Sequence, residues 1–198
     1  MIDKQNLTII DLETTGGSPV FSRVIEVGLL KVVAGKVSEQ YQTLVNPQCD
    51  LPEFITKMTG ITESHVMRAP TFAQIAEELW QKLEGSVFVA HNVGFDYGFL
   101  QTEFSRLGKE FKSDRLCTVR LSRQLYPEHK RHNLTSIIER FGFDVDNRHR
   151  AFDDASVLWD FLQLVQDEFD EDVLAKALKN STIKLRNIKL PQRLEQNH

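Results

Sequence analysis

From Leu7 to Thr14 the chain reads Leu-Thr-Ile-Ile-Asp-Leu-Glu-Thr, apolar at nearly every position until two acids interrupt it. A run of that kind predicts a central strand buried on both faces. Val24–Val33 and Glu39–Val45 follow as two further strands, with Ala34-Gly35-Lys36 as the hairpin turn between them and Asn46-Pro47 as the stop. Pro52 starts a short helix that Gly60 ends, and a longer helix runs from about Thr71 to Glu84 with Gly85 just past it. Val87–Ala90 is a short apolar strand, and the helix after it, about Phe95 to Leu107, closes at Gly108. Helical periodicity returns around Thr118–Leu125, at Leu134–Phe141, at Phe152–Glu168 and at Val173–Leu178. Three strands, then strand and helices in alternation, predict an α/β protein with a mixed central sheet flanked by helices. From about Ser181 onward no core pattern is visible.

The 198 residues, 41% hydrophobic and 26% charged, have length for one globular domain and a composition that excludes collagen, coiled coil and wholesale disorder. No apolar stretch approaches the roughly 20 residues that a membrane span requires, and the N-terminal segment does not read as a secretory leader. Cys49 and Cys117 are too few for a zinc cage and read as reduced thiols. A soluble, cytoplasmic protein with no membrane association is therefore expected. The net charge of −4 hides a segregation. Eight Lys/Arg face three acids between Arg106 and His132, and six face none between Lys176 and Leu194. Such basic segments on an acidic chain suit a polyanion bound beside an acidic metal site.

Asp11 and Glu13 alternate on the first strand, so both project from one face, about 6.5–7 Å apart along the backbone. At about 4 Å and an effective dielectric near 20, two such carboxylates repel by roughly 4 kcal/mol. A divalent cation with oxygen preference, Mg²⁺ or Mn²⁺, removes that repulsion. Asp96 falls on the first turn of a helix and over its apolar stripe of Phe99, Leu100 and Phe104. In His149-Arg150-Ala151-Phe152-Asp153-Asp154 the periodicity separates the two aspartates. At 100° per residue, Asp154 lies about 40° from the inward Leu158 and Asp153 about 140° from it. Asp154 is thus the inward acid, and His149 stands on the loop just before its helix. Four acids and one histidine meet the needs of two-cation phosphodiester hydrolysis, with an imidazole able to take a proton near neutral pH.

Asp-Leu-Glu-Thr-Thr-Gly (11–16), His-Asn-Val-Gly-Phe-Asp (91–96) and His-Arg-Ala-Phe-Asp-Asp-Ala (149–155) resemble, in order and spacing, the three motifs of the DnaQ-like DEDDh 3′→5′ exonucleases. Met58-Thr59-Gly60-Ile61-Thr62 resembles an element between the first two motifs. The resemblance implies an RNase H-like fold and a centre of two cations, Mg²⁺ or Mn²⁺. It assigns Asp11, Glu13, Asp96 and Asp154 as metal ligands and His149 as general base. By the same resemblance Leu12, Thr14, Thr15, Ile61, Asn92 and Phe95 hold the terminal nucleotide.

The expected activity is metal-dependent hydrolysis at the 3′ end of single-stranded DNA, of proofreading or repair type, releasing nucleoside 5′-monophosphates. Two rivals stand beside it: a 3′→5′ exoribonuclease of RNA turnover, and a non-catalytic nucleic-acid-binding module. Residues 1–175 are expected to form the exonuclease domain and residues 176–198 a basic tail or linker. Leu190-Pro191-Gln192-Arg193-Leu194 resembles a segment that joins such exonucleases to a further nuclease domain. Single-stranded 3′ ends are the expected partner, with a DNA polymerase or another nuclease domain as candidate protein partners.

Overall fold

In a computed structural model, which describes residues 2–145 and 149–185, the expected strand at the centre of the chemistry lies inside a six-stranded sheet. The strands are β1 Leu7–Thr14, β2 Val24–Val33, β3 Lys36–Leu44, β4 Val87–Ala90, β5 Arg115–Cys117 and β6 Thr182–Ile183, in the order β3-β2-β1-β4-β5-β6. β1 pairs antiparallel with β2 and parallel with β4; β2–β3 and β5–β6 are antiparallel, and β4–β5 is parallel. The helices are α1 Glu53–Thr59, α2 Glu63–Val66, α3 Phe72–Leu83, α4 Gly94–Arg106, α5 Thr118–Leu125, α6 Leu134–Phe141, α7 Ala151–Glu168 and α8 Glu171–Ser181. This is the RNase H-like arrangement expected, a mixed sheet with helices on both faces.

Alternation along β1 divides the core. Leu7 and Ile9 pack with Leu158, Phe161, Leu162 and Val165 of α7 and with residues of α5, α6 and α8. Ile10 and Leu12, facing the other way, pack with Phe72 and Leu79 of α3 and Phe99, Leu100 and Phe104 of α4. A small third cluster, Ile25, Ile55, Ile61 and Val66, seats α1 and α2. Asp11 and Glu13 share the parity of Leu7 and Ile9, so their strand positions face α7.

One glycine sets how closely α7 approaches. Gly28 of β2 is the cross-strand partner of Asp11, and a Cβ there would lie 2.1 Å from the Phe152 nitrogen and 2.2 Å from the Ala151 carbonyl carbon. The first turn of α7 therefore rests on the bare backbone of β2.

Several boundaries differ from expectation for physical reasons. β3 begins at Lys36, not Glu39, because Ala34 and Gly35 take left-handed φ values of 49° and 73° and make the turn in two residues. Its largely exposed edge position gave little apolar alternation to read. β5, with three residues, and α2, with four, are too short to show a period. α8 extends from Glu171 to Ser181, beyond the expected Val173–Leu178, and the expected boundary between residues 175 and 176 falls within it. Past Ser181 the chain pairs with β5, and the Leu185 N–H donates to Asp114 Oδ1 at 2.8 Å. The segment Leu190–Leu194, with the rest of 186–198, lies outside the described residues.

Gly28→Ala is expected to lower stability by about 1–3 kcal/mol or more, as forced overpacking does, and to displace α7. Urea denaturation checks this; an unchanged midpoint would show that the close approach is not required.

Candidate active site

The C-terminal half of β1 brings Asp11 and Glu13 to the sheet's end, opposite Gly28 and Glu26 respectively on β2. Two more acids arrive on first helical turns: Asp96 on α4, 2% exposed, and Asp154 on α7, 5% exposed. His149 occupies the loop immediately before α7 with a φ of 61°. All five line one cavity of about 290 Å³. Ligand atoms of Glu13, His149 and Asp154 lie within 4.8 Å of one another. The periodicity argument for Asp154 agrees with its burial, while Asp153 is half-exposed.

Leu12, Thr14, Asn92 and Phe95 also line this cavity. Thr14 donates its hydroxyl to the Gly16 carbonyl at 2.8 Å, and the Phe95 ring packs 4.9 Å from that of Phe99. Thr15 and Ile61 do not line it. The Thr15 hydroxyl accepts the Arg23 N–H at 2.9 Å, and its own N–H donates to the Arg23 carbonyl. Ile61 is 2% exposed within the cluster of Ile25, Ile55 and Val66. Three cavity residues were not foreseen: Met58, His91 and Leu134. His91 carried a readable signal, since it directly follows the carboxyl end of β4 and ligands in open α/β sheets bind outside such ends. Its Nδ1 is hydrogen-bonded to the Thr118 hydroxyl at 2.9 Å. Leu134 and Met58 read as ordinary apolar helix positions.

Charge at the site is held by two kinds of support. Burial pushes the Asp96 carboxyl up to about 8, against the opposing pull of backbone N–H groups from Asp96 itself and Leu12. Such a carboxyl favours the proton unless positive charge is near. Beneath α7, the fully buried Glu26 accepts Arg150 Nη2 at 2.6 Å, Arg150 Nε at 3.1 Å, the Ala151 N–H at 3.0 Å and Gln42 Nε2 at 3.1 Å. This clamp fixes the backbone between His149 and Asp154. A second buried acid, Glu103 of α4, accepts Arg23 Nε at 2.8 Å and pairs with Arg106 Nη1 at 3.0 Å, which ties the loop after β1 to α4. The donor set, four carboxylates and the His149 imidazole lining a single cavity, fits a divalent metal with oxygen preference.

Comparison with known proteins agrees with this geometry. A family model described as exonuclease (RNase_T) matches residues 8–162. A PolC-type DNA polymerase III from Clostridium perfringens is 34% identical over 165 residues, covering 83% of this chain and 11% of that relative. The 3′-5′ exonuclease DinG of Bacillus subtilis is 36% identical over 158 residues, covering 79% of this chain and 17% of DinG. The chain thus spans less than one-fifth of the length of either relative. Among solved structures, the nuclease domain of 3′hExo, described as a DEDDh family member bound to rAMP, is similar in fold. Its TM-score is 0.69 at 22% identity, covering 83% of this chain and 93% of that one.

Arg150→Ala leaves the Glu26 carboxylate buried with only amide donors. With the Arg150 side chain 35% exposed, the loss is expected to be roughly 2 kcal/mol, below the usual span for a broken buried pair. Chemical denaturation of the variant measures it, and an unaltered stability would remove Glu26 as the anchor of α7.

Proposed function

This chain belongs to the exonuclease family whose model matches residues 8–162, and from that premise we propose that it is a DEDDh-type enzyme that removes nucleotides one at a time from the 3′ end of single-stranded DNA, releasing nucleoside 5′-monophosphates. The supporting observation is the convergence of Asp11, Glu13, Asp96, His149 and Asp154, from three distant stretches, on one cavity.

Asp11, Glu13, Asp96 and Asp154 would hold two divalent cations, Mg²⁺ or Mn²⁺. When bound, such cations acidify a water and stabilise charge building on the attacking and leaving oxygens. His149 takes the proton from the attacking water at a ring nitrogen, for which an ordinary imidazole is suited near neutral pH. Its place one residue ahead of the Arg150–Glu26 clamp limits the positions the ring can reach. Leu12, Thr14, Asn92 and Phe95 hold the terminal nucleotide from the cavity wall. Thr15 and Ile61 serve the same nucleotide from behind, Thr15 by fixing the loop through Arg23 and Ile61 by seating α1. Apolar contacts of this sort accept any base, as a degradative enzyme requires.

The PolC-type relative supports DNA as the substrate and a DNA polymerase as the working partner. Cys49 and Cys117 are both unbridged, which supports a reducing cytoplasm as the place of action. Among the described residues no helix is long and apolar enough to cross a membrane.

With Mg²⁺ or Mn²⁺, a 5′-labelled DNA oligonucleotide is expected to shorten as a regular ladder. The ladder should vanish with chelator and in Asp154→Asn; cleavage that survives chelation would reject the mechanism. A matched RNA oligomer that is degraded faster would instead support the exoribonuclease reading, and absence of cleavage on both would support a binding module.

His149→Ala is expected to slow turnover by roughly 10²–10⁴-fold, the usual span for losing a general base, with an unchanged melting temperature. A rate near that of the unmodified chain would exclude His149 as the base.

A further inference from the structure

The sequence drew attention to eight basic residues between Arg106 and His132, and the structure commits most of them elsewhere. Arg106 pairs with Glu103, Lys109 with Glu77 and Lys112 with Glu110. Arg115 stacks 4.3 Å from the centre of the Tyr97 ring, and Arg120 donates to the Asn180 carbonyl at 2.9 Å. Among the described residues no carboxylate lies within ion-pair distance of Arg123, Lys130 or Arg131. Lys130 and Arg131 are exposed, and three residues after Arg131 comes Leu134, which lines the active-site cavity. At 3.8 Å per residue, the Arg131 Cα is at most about 11 Å from that of Leu134.

The loop that carries the pair is held firmly. His132 is buried; its Nε2–H donates to the His129 carbonyl at 2.9 Å, so its Nδ1 accepts the Ser122 hydroxyl at 2.8 Å. Arg140 donates to the Arg131 carbonyl at 2.6 Å, and Asn133 caps α6 by accepting the Ser136 N–H at 2.8 Å. Two exposed cations, with no acidic partner among the described residues, thus stand on a firmly held loop beside the cavity.

A different element, α1, reaches the same cavity with apolar character. Met58 lines the cavity yet is 45% exposed, and Phe54, one turn earlier on the same helical face, is 60% exposed. Their Cα atoms are about 6 Å apart along the helix axis. The apolar wall of the cavity therefore continues outward onto open surface.

We infer that Met58–Phe54 and Lys130–Arg131 form a two-sided exit track for the substrate strand, Phe54 stacking on a base upstream of the terminal nucleotide and Lys130 and Arg131 contacting phosphates. An apolar stacking surface and a separate basic surface, both continuous with one cavity, match an unpaired strand, whose bases and backbone are accessible at once. In a duplex the base faces are hidden, so the track selects for single strands. This inference rests on the exonuclease reading above.

The test compares two substrates: the p-nitrophenyl ester of thymidine 5′-monophosphate, which has no upstream nucleotide, and a dT12 oligonucleotide. Phe54→Ala is expected to raise KM for dT12 about 5-fold or more, with Phe54→Trp restoring it. Lys130→Ala/Arg131→Ala is expected to make the slope of log KM against log salt shallower by about 1.4, the value for two lost contacts to a single strand. Both variants should process the small ester at the unmodified rate, and Lys112→Ala, whose partner is Glu110, should alter neither measurement. A chain that cleaves both substrates while these variants keep their KM and salt slope for dT12 overturns the track alone. Equal losses on the ester would assign the residues to the cavity and overturn it too. A chain that cleaves neither substrate overturns the exonuclease reading and the track with it.

Discussion

Everything at this site depends on how close α7 comes to β2. A helix normally stands off a sheet by the thickness of the side chains between them, yet the first turn of α7 sits where even one methyl group at Gly28 would collide with the backbone of Ala151 and Phe152. Because Gly28 is opposite Asp11, this contact falls beside the acids of β1. Glu26, two positions earlier and opposite Glu13, then binds both the side chain of Arg150 and the N–H of Ala151. The glycine permits the approach and the carboxylate fixes its register, so that His149 and Asp154, on either side of the clamp, reach Glu13 within 4.8 Å.

That closeness has an electrostatic consequence. Glu13, Asp96 and Asp154 are all buried, and Asp96 already leans toward its protonated form because of it. Folding alone would not gather such groups; each would be more stable in water. The fold can bring them together because the surrounding core is large and continuous: α7 packs through Leu158, Phe161, Leu162 and Val165 on one face of the sheet, while α4 packs through Phe99, Leu100 and Phe104 on the other. The apolar stripes therefore position the acids, and positive charge brought to the cavity relieves the repulsion that remains. Glu26 and Glu103, buried nearby, are paired with Arg150 and Arg23 respectively.

What could be read in advance follows the same division. β1 was legible from its near-continuous apolar run and α4 and α7 from the buried stripes they present to the sheet, and the position of Asp154 relative to the α7 stripe separated it from Asp153. The supports were not. Nothing local marks Gly28 as a contact point or Glu26 as a clamp, since both matter through residues more than a hundred positions away. Met58 and Leu134 look like core residues because only their three-dimensional surroundings open one side of each to the cavity. Ile61, assigned by the resemblance to the terminal nucleotide, packs within the cluster that seats α1 and α2, a contact its motif did not reveal. The short elements β5 and α2 escaped because three or four residues cannot display a period.

Burial also separates the tasks of the residues around the cavity. The acids that must hold position to a fraction of an ångström are on first helical turns or on β1, where backbone hydrogen bonds fix them, and His149 stands next to the Arg150–Glu26 clamp. Groups at the mouth, such as Phe54, Met58, Lys130 and Arg131, are exposed, and their chemistry tolerates displacement, since stacking and phosphate attraction change gradually with distance. The proposed activity needs this combination, because the reacting phosphate must be located tightly while the strand behind it advances by one nucleotide after each cleavage. If the mouth gripped as firmly as the centre, each advance would have to break strong contacts. With a shallow grip outside and a rigid centre inside, moving the strand costs little and positioning of the reacting bond is preserved.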